Sequence, residues 1–225
     1  MIEDAIDRLK KELERYEDRD LDALTKNVAN TGFHCTRCGK CCKREWGDNT
    51  VTVFPDEIRA IMKFSGLSWL EVAVPVESCD VDERGEYHTF EWVLRKQDNG
   101  DCVFLKDGAC TIYGVRPLIC STYPLRLEAE KLELYECDGL GGEIIDREEA
   151  ERIAEVLHER RVREAKEAVL LLQKLGDLHT KEGQYSGEKL HDVQVVYDVQ
   201  VVYVVHDSEG SRRVLARGDG SFSFP

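Results

Sequence analysis

Ile2, Ile6, Leu9, Leu13 and Tyr16 recur at alternating spacings of four and three among Glu, Asp, Lys and Arg. That period lays them on one stripe and predicts an amphipathic helix over residues 2–25. The pattern stops at Asn27-Val28-Ala29-Asn30-Thr31-Gly32. A second stripe, through Ile153, Val156, Leu157, Ala165, Val169, Leu172 and Leu175, predicts a long helix over 146–175 that Gly176 ends. Signals between the two are shorter. Residues 50–54 alternate like a strand. Pro55, with Asp56 and Glu57 behind it, opens a helix that Ser65-Gly66 stops. Ser68 and Glu71 form a capping-box pair for a short helix over 69–74, closed by Pro75. Residues 80–91 are polar and turn-rich, whereas 90–94 and 131–135 read as strands.

The tail carries a duplication. The hexapeptide Asp-Val-Gln-Val-Val-Tyr at 192–197 recurs unchanged at 198–203. An even period keeps Val193, Val195, Tyr197, Val199, Val201 and Tyr203 on one strand face. Ser208-Glu209-Gly210 then makes a turn, and 212–217 returns as a second strand. A local duplication that lengthened a strand is the simple account; an edge that a partner strand joins is the sharper one. Either way a valine-rich strand needs cover against aggregation. Residues 183–187 read as a linker.

Composition changes this picture in two ways. The chain has 225 residues, 42% hydrophobic and 34% charged, with a net charge of −14. Phosphate backbones repel so acidic a surface, so nucleic acid is not an expected partner. No run of about 18 apolar residues occurs, so no membrane-spanning helix is expected. The N-terminus lacks a basic segment followed by an apolar core, so no signal peptide is expected and the predicted location is cytoplasmic.

The second change comes from nine cysteines. In a reducing compartment thiols persist or bind metal and do not pair. Cys35-x-x-Cys38-x-x-Cys41-Cys42 lets successive thiolates curl round one centre, with Gly39 free to take the positive-φ turn after Cys38. Neighbours rarely chelate one ion comfortably, so Cys41 and Cys42 serve different centres or only one of them ligates. Cys102, Cys110, Cys120 and Cys137 follow, three of them beside glycine-containing turns. Four and four make eight, enough for two tetrathiolate sites. Cys79 stands apart and reads as a free thiol. Arg37, Lys40, Lys43 and Arg44 surround the first cluster; such cations favour thiolates and offset their charge, though a solvated charge run accounts for them equally well.

These motifs resemble the YkgJ-type cysteine-cluster family, also called the CxxCxxCC or zinc- or iron-chelating domain. The likeness lies in Phe33-His34-Cys35-Thr36-Arg37-Cys38-Gly39-Lys40-Cys41-Cys42 and Cys102-Val103-Phe104-Leu105. It continues in Cys110-Thr111-Ile112-Tyr113-Gly114-Val115-Arg116-Pro117, Cys120-Ser121-Thr122-Tyr123-Pro124 and Cys137-Asp138-Gly139-Leu140-Gly141. Ser121 and Asp138 depart from it, where the family often has Arg and Pro. The resemblance implies a metal-chelating module whose own reaction is unassigned.

The run C-x2-C-x2-C with a distant cysteine suits an iron–sulfur cluster, 4Fe-4S in the first instance, and Cys42 then crosses to a second centre. Zinc is the alternative; Cys35 and Cys38 make a good knuckle, but the irregular spacing of the distal four serves it less well. The expected fold is α+β: a cysteine-rich, loop-rich metal-binding core flanked by two long helices, with a C-terminal β-hairpin. The divisions expected are an N-terminal amphipathic helix (1–28), a cysteine-cluster domain (29–145), a long helix packing on the core (146–176), and a linker with hairpin (177–225). The expected function is metal chelation with a redox or accessory role beside a protein partner. A structural zinc module that presents an interaction surface is the alternative, and a thiol redox sensor a third. No catalytic motif is recognisable. His34 is either a donor behind Cys35 or a solvated flank. Tyr113, Arg116 and Tyr123 are expected to pack over, or hydrogen-bond toward, the centre, with Arg116-Pro117 also readable as a fixed turn.

Overall fold

The computed structural model describes residues 2–44, 47–77, 80–128, 131–181 and 201–225. Cys79, the linker at 183–187 and the first copy of the hexapeptide lie outside the described residues. The expected first helix is two helices, α1 (Ile2–Glu17) and α2 (Asp22–Ala29). The stretch Glu17-Asp18-Arg19-Asp20 has no apolar member to bury, and the Asp20 carboxylate accepts a hydrogen bond from the Asp22 N–H at 3.0 Å. An aspartate in that position offers the backbone an alternative to continuing the helix. α1 packs along α6 (Arg147–Lys181), where the Arg161 guanidinium lies over the Tyr16 ring at 4.8 Å.

α3 (Pro55–Ser65) starts and stops as its sequence signals direct. The Glu57 carboxylate accepts from the Phe54 N–H at 2.9 Å, and Gly66 closes the helix in the left-handed conformation. α4 (Trp69–Val72) is capped by Glu71, which accepts from the Ser68 N–H at 2.8 Å. It is shorter than expected because Ala73–Pro75 leaves it as strand β2. β2 and β1 (Thr52–Val53) both pair antiparallel with β4 (Trp92–Leu94), giving the order β1-β4-β2.

The tail forms the expected hairpin, β9 (Val201–Asp207) with β10 (Gly210–Ala216). β11 (Phe222–Ser223) covers the outer edge of β10. The other edge of β9 is taken by β3 (Tyr87–Thr89), in parallel, inside the stretch that reads as polar turns. Both edges of β9 are thereby paired at 203–205, which gives that part of the strand cover. Buried Trp92 donates from Nε1 to Asp207 at 2.9 Å, while the other carboxylate oxygen takes the N–H groups of Glu209 and Gly210. One carboxylate thus fixes the hairpin turn to the first sheet.

Two ribbons complete the fold, β5 (Leu105–Lys106) with β6 (Ala109–Cys110), and β7 (Leu125–Glu128) with β8 (Lys131–Leu134). A short helix, α5 (Leu118–Thr122), lies between them in the chain. The fold is α+β, with six α-helices and four small sheets among the described residues. Its interior holds two clusters of mainly apolar side chains, with Cys102 in the first and Cys137 packed against the second. One gathers Ile58, Ile61, Trp92, Phe104 and Ile112 with Val205 and Val214 of the hairpin. The other gathers Leu24, Val28, Leu125, Leu127, Ile153 and Leu157 between α2, β7 and α6. Loops cannot bury their backbone polar groups cheaply, so helices and strands take the interior and the cysteine loops take the surface between. Among the described residues no helix is long and apolar enough to cross a membrane.

Candidate metal centre

Cys35, Cys38, Cys41, Cys42, Cys102, Cys110, Cys120 and Cys137 all line one cleft of about 420 Å³. Its walls reach both apolar clusters, through Leu94 and Ile112 on one side and Phe33 and Leu125 on the other. Cys35, Cys38 and Cys41 are exposed at its mouth, Cys42, Cys110, Cys120 and Cys137 are half-buried, and Cys102 is buried; all eight are free thiols.

Four backbone features bring these loops together. Gly39 sits at φ +72° against the 107–108 turn, so close that a Cβ would stand 2.4 Å from the Gly108 carbonyl oxygen. The Cys102 N–H donates to the Cys42 carbonyl at 2.8 Å. Asn49 donates through Nδ2 to the carbonyls of Cys42 and Gly100, at 3.1 and 3.0 Å. At the other end the His34 N–H donates to the Gly139 carbonyl at 2.8 Å, setting Cys137 beside the first cysteines. The Gly139 N–H points at the Cys137 sulfur, 3.4 Å away.

The sulfurs interact in two neighbourhoods. Cys42 lies beside Cys102, Cys110 and Cys41, and the field of Cys102, Cys41 and Cys110 reaches Cys120. Cys137 instead feels Cys38, Cys35 and Cys41. Cys41 therefore stands between the two groups. Acidity follows contact. The Cys42 thiol holds Cys110 down to about 6 and Cys41 to about 7, and lowers Cys102. Cys42 is pushed up in return, chiefly by its bond to Cys102. Burial raises Cys120 and Cys137. Thiols that already share protons release them when a metal takes their place.

Cations surround the sulfurs. Arg37 and Arg116 both lie over the Tyr113 ring, at 4.3 and 3.7 Å from its centroid. Arg116 is thereby held at the cleft wall, where its charge lowers Cys41 and Cys110. Lys40 pairs with Asp138 at 2.5 Å across the two loops, within the field of Cys38 and Cys137. Tyr123 lines the cleft, but its hydroxyl is committed to the Glu136 carbonyl at 2.7 Å and not to sulfur. His34 is exposed and works through its backbone.

Residues 34–138 match the model of a family called CxxCxxCC, described as a putative zinc- or iron-chelating domain. The match spans a little under half of the chain and shows that this segment is similar to that family. No curated protein and no solved structure matches the chain. The CxxCxxCC segment contains all eight cleft cysteines, while α1, α2, α6 and the hairpin lie outside it. Within the matched segment Asp138 supplies the ion pair with Lys40 that ties the two loops.

Glu57 and Asn49 were not legible as site residues. Glu57 reads from the sequence as a helix-end charge; in three dimensions its second oxygen accepts from the Leu118 N–H at 2.7 Å and so anchors α5, which carries Cys120. Asn49 carries no local signal for its two carbonyl bonds. Arg160 of α6, outside the matched segment, also reaches the cleft wall and points Nη1 at Thr122 in α5 at 3.5 Å. Burial raises the Glu57 carboxyl above its ordinary value despite its two N–H donors. A carboxyl raised on folding binds protons more readily folded than unfolded, so stability falls as pH rises from the unfolded value through the folded one. Urea unfolding should show that fall for the wild type and its absence in Glu57→Gln; identical pH profiles would contradict the burial cost.

Proposed function

We propose that this protein binds two thiolate-ligated iron–sulfur centres and serves a partner's redox chemistry. The observation that carries the reading is the single cleft lined by all eight cysteines. Cys35, Cys38, Cys41 and Cys137 would hold one centre, and Cys42, Cys102, Cys110 and Cys120 the other. The split follows the two neighbourhoods of sulfurs and assigns each of the adjacent cysteines to its own centre. Residues and group fit: the donors are soft thiolates, glycine loops let N–H groups approach sulfur, and Arg37, Lys40 and Arg116 offset the charge of a thiolate cluster inside an acidic chain.

A single zinc ion holds its thiolates at about 2.3 Å, which draws the sulfurs to within about 4 Å of each other. Among the described residues no three cysteine sulfurs lie mutually within 4.8 Å. Sulfurs spread round a wall suit a cluster in which each iron takes one thiolate. When bound, such a cluster would supply one-electron transfer. The chain's own contribution is to exclude water from the inner group, where Cys102 is buried, and to leave the mouth open at Cys35, Cys38 and Cys41, where a partner protein would approach. One observation favours a structural zinc site as the second reading: Cys42 is within hydrogen-bonding reach of Cys41, Cys102 and Cys110.

Protein purified without oxygen should be brown and carry iron and acid-labile sulfide in comparable amounts. Colourless protein with stoichiometric zinc and no sulfide would overturn the iron–sulfur reading and leave the zinc one.

A further inference from the structure

Away from the cysteine cleft, Asp82, Glu86 and His88 bring a ligand atom each to within 4.8 Å of one another, all three half-buried. They lie on the turn before β3 and on β3 itself, beside the C-terminal hairpin. The geometry points to a second metal site here, for a divalent transition cation that accepts one imidazole nitrogen and carboxylate oxygens. This donor set is of the kind that suits zinc, cobalt or manganese, and differs from the soft thiolates of the cleft.

Each ligand is already oriented by its other contacts. One Asp82 oxygen accepts from the N–H groups of Arg84 and Glu86, both at 2.9 Å, which leaves Oδ2 turned toward His88. Glu86 takes Arg213 of β10 on Oε2 at 3.0 Å and keeps its second oxygen. His88 Nδ1 and His206 Nε2 are 2.8 Å apart, and His206 Nδ1 is 2.8 Å from the Ser211 hydroxyl. The two rings are within 11° of parallel with centroids 5.1 Å apart, the separation of rings bonded edge to edge. A chain of this kind, imidazole to imidazole to hydroxyl, fixes a tautomer as a carboxylate does behind a metal-bound histidine.

His88 Nε2 is the ring nitrogen that faces the carboxylates: it is buried and stands 3.3 Å from Asp82 Oδ2. A cation bound there would take the place of a proton on Nε2, with His88 Nδ1 then donating to His206 and His206 Nδ1 to the Ser211 hydroxyl. Bound there, it joins the loop before β3 to the hairpin through His206 and Arg213. Three protein ligands also leave a coordination position for water.

Co2+ serves as the probe, added to the full chain with its cysteine centres already loaded. Cobalt on thiolates shows intense sulfur-to-metal charge-transfer absorption, and cobalt on nitrogen and oxygen does not. One equivalent should bind without that absorption and slow amide exchange in β9 and β10. His88→Gln and Glu86→Gln should each abolish this uptake or weaken it beyond tenfold, and His206→Gln, acting through His88, should weaken it about 10–100-fold. The exposed rim change Arg84→Gln, outside the ligand set, should leave it unchanged. Uptake that is absent from the wild type, carries thiolate absorption, or is equal in Glu86→Gln and the wild type would overturn the site. The iron and sulfide content of the cleft is read separately and is unaffected by either result.

Discussion

Cys42→Ala should remove about half of the bound metal and leave the other centre in place. Cys42 is the thiol on which Cys102 and Cys110 converge, whereas Cys137 answers to Cys35 and Cys38. Loss of Cys42 therefore takes a ligand from the inner group alone. The matching change, Cys137→Ala, should remove the outer centre and spare the inner one. Metal analysis of the two variants, with spectra of the centre each retains, reads the partition directly. Complete loss in both would mean one shared centre; unchanged metal in Cys42→Ala would remove Cys42 from the ligand set. The fold should survive the substitution. Cys42 is half-buried against the first apolar cluster, and deleting one sulfur there costs on the order of 1 kcal/mol.

Gly39→Ala should be the most damaging change that touches no thiol. The residue sits at φ +72°, and its added Cβ would meet the Gly108 carbonyl oxygen at 2.4 Å. That oxygen is backbone, so no side-chain rotation relieves the clash. A left-handed conformation costs an L-residue about 1–2 kcal/mol, and the clash adds to it, for a total of about 3 kcal/mol or more. Gly108→Ala provides the comparison, because Gly108 has φ +76° and open space around its would-be Cβ. It should show the conformational cost alone. Urea midpoints of the metal-loaded proteins test the difference. Equal shifts in the two variants would mean that the loop of Cys38 does not press on the loop of Cys110. Metal retention should fall with Gly39→Ala, since that contact holds the proximal cysteines over the distal ones.

Three stretches depart from their local pattern, one for a local reason and two for distant ones. The break between α1 and α2 is local, yet the heptad-like apolar spacing hid it, because Leu21 and Leu24 continue a helical rhythm across Asp18-Arg19-Asp20. β3 escaped because its partner, β9, is more than a hundred residues away, and nothing in Tyr87-His88-Thr89 announces a parallel neighbour. Residues 69–74 read as a short helix closed by Pro75, but Ala73 and Val74 gain ladder partners in Leu94 and Val93. For both strands a distant pairing outweighed a local preference. Glu57 is the instructive site residue. Its place in the first turn of α3 explains one carboxylate oxygen completely, and the second oxygen, on Leu118, is invisible without the tertiary fold.

What the chain's order of residues settled alone is chemistry carried by spacing: helix caps at Glu57, Gly66 and Glu71, the tail hairpin, and eight thiols set in turn-forming surroundings. These depend on neighbours within a few positions, where backbone geometry leaves few choices. The three-dimensional fold decided which thiols meet. It set Cys42 beside Cys102 and Cys110 while leaving its neighbour Cys41 between the two groups of sulfurs, returned Cys137 to the side of Cys35 and Cys38, and brought His88 to His206. Contacts between distant segments are selected by the packing of whole apolar faces, here two clusters with a cleft between them, and no short run of residues encodes that choice.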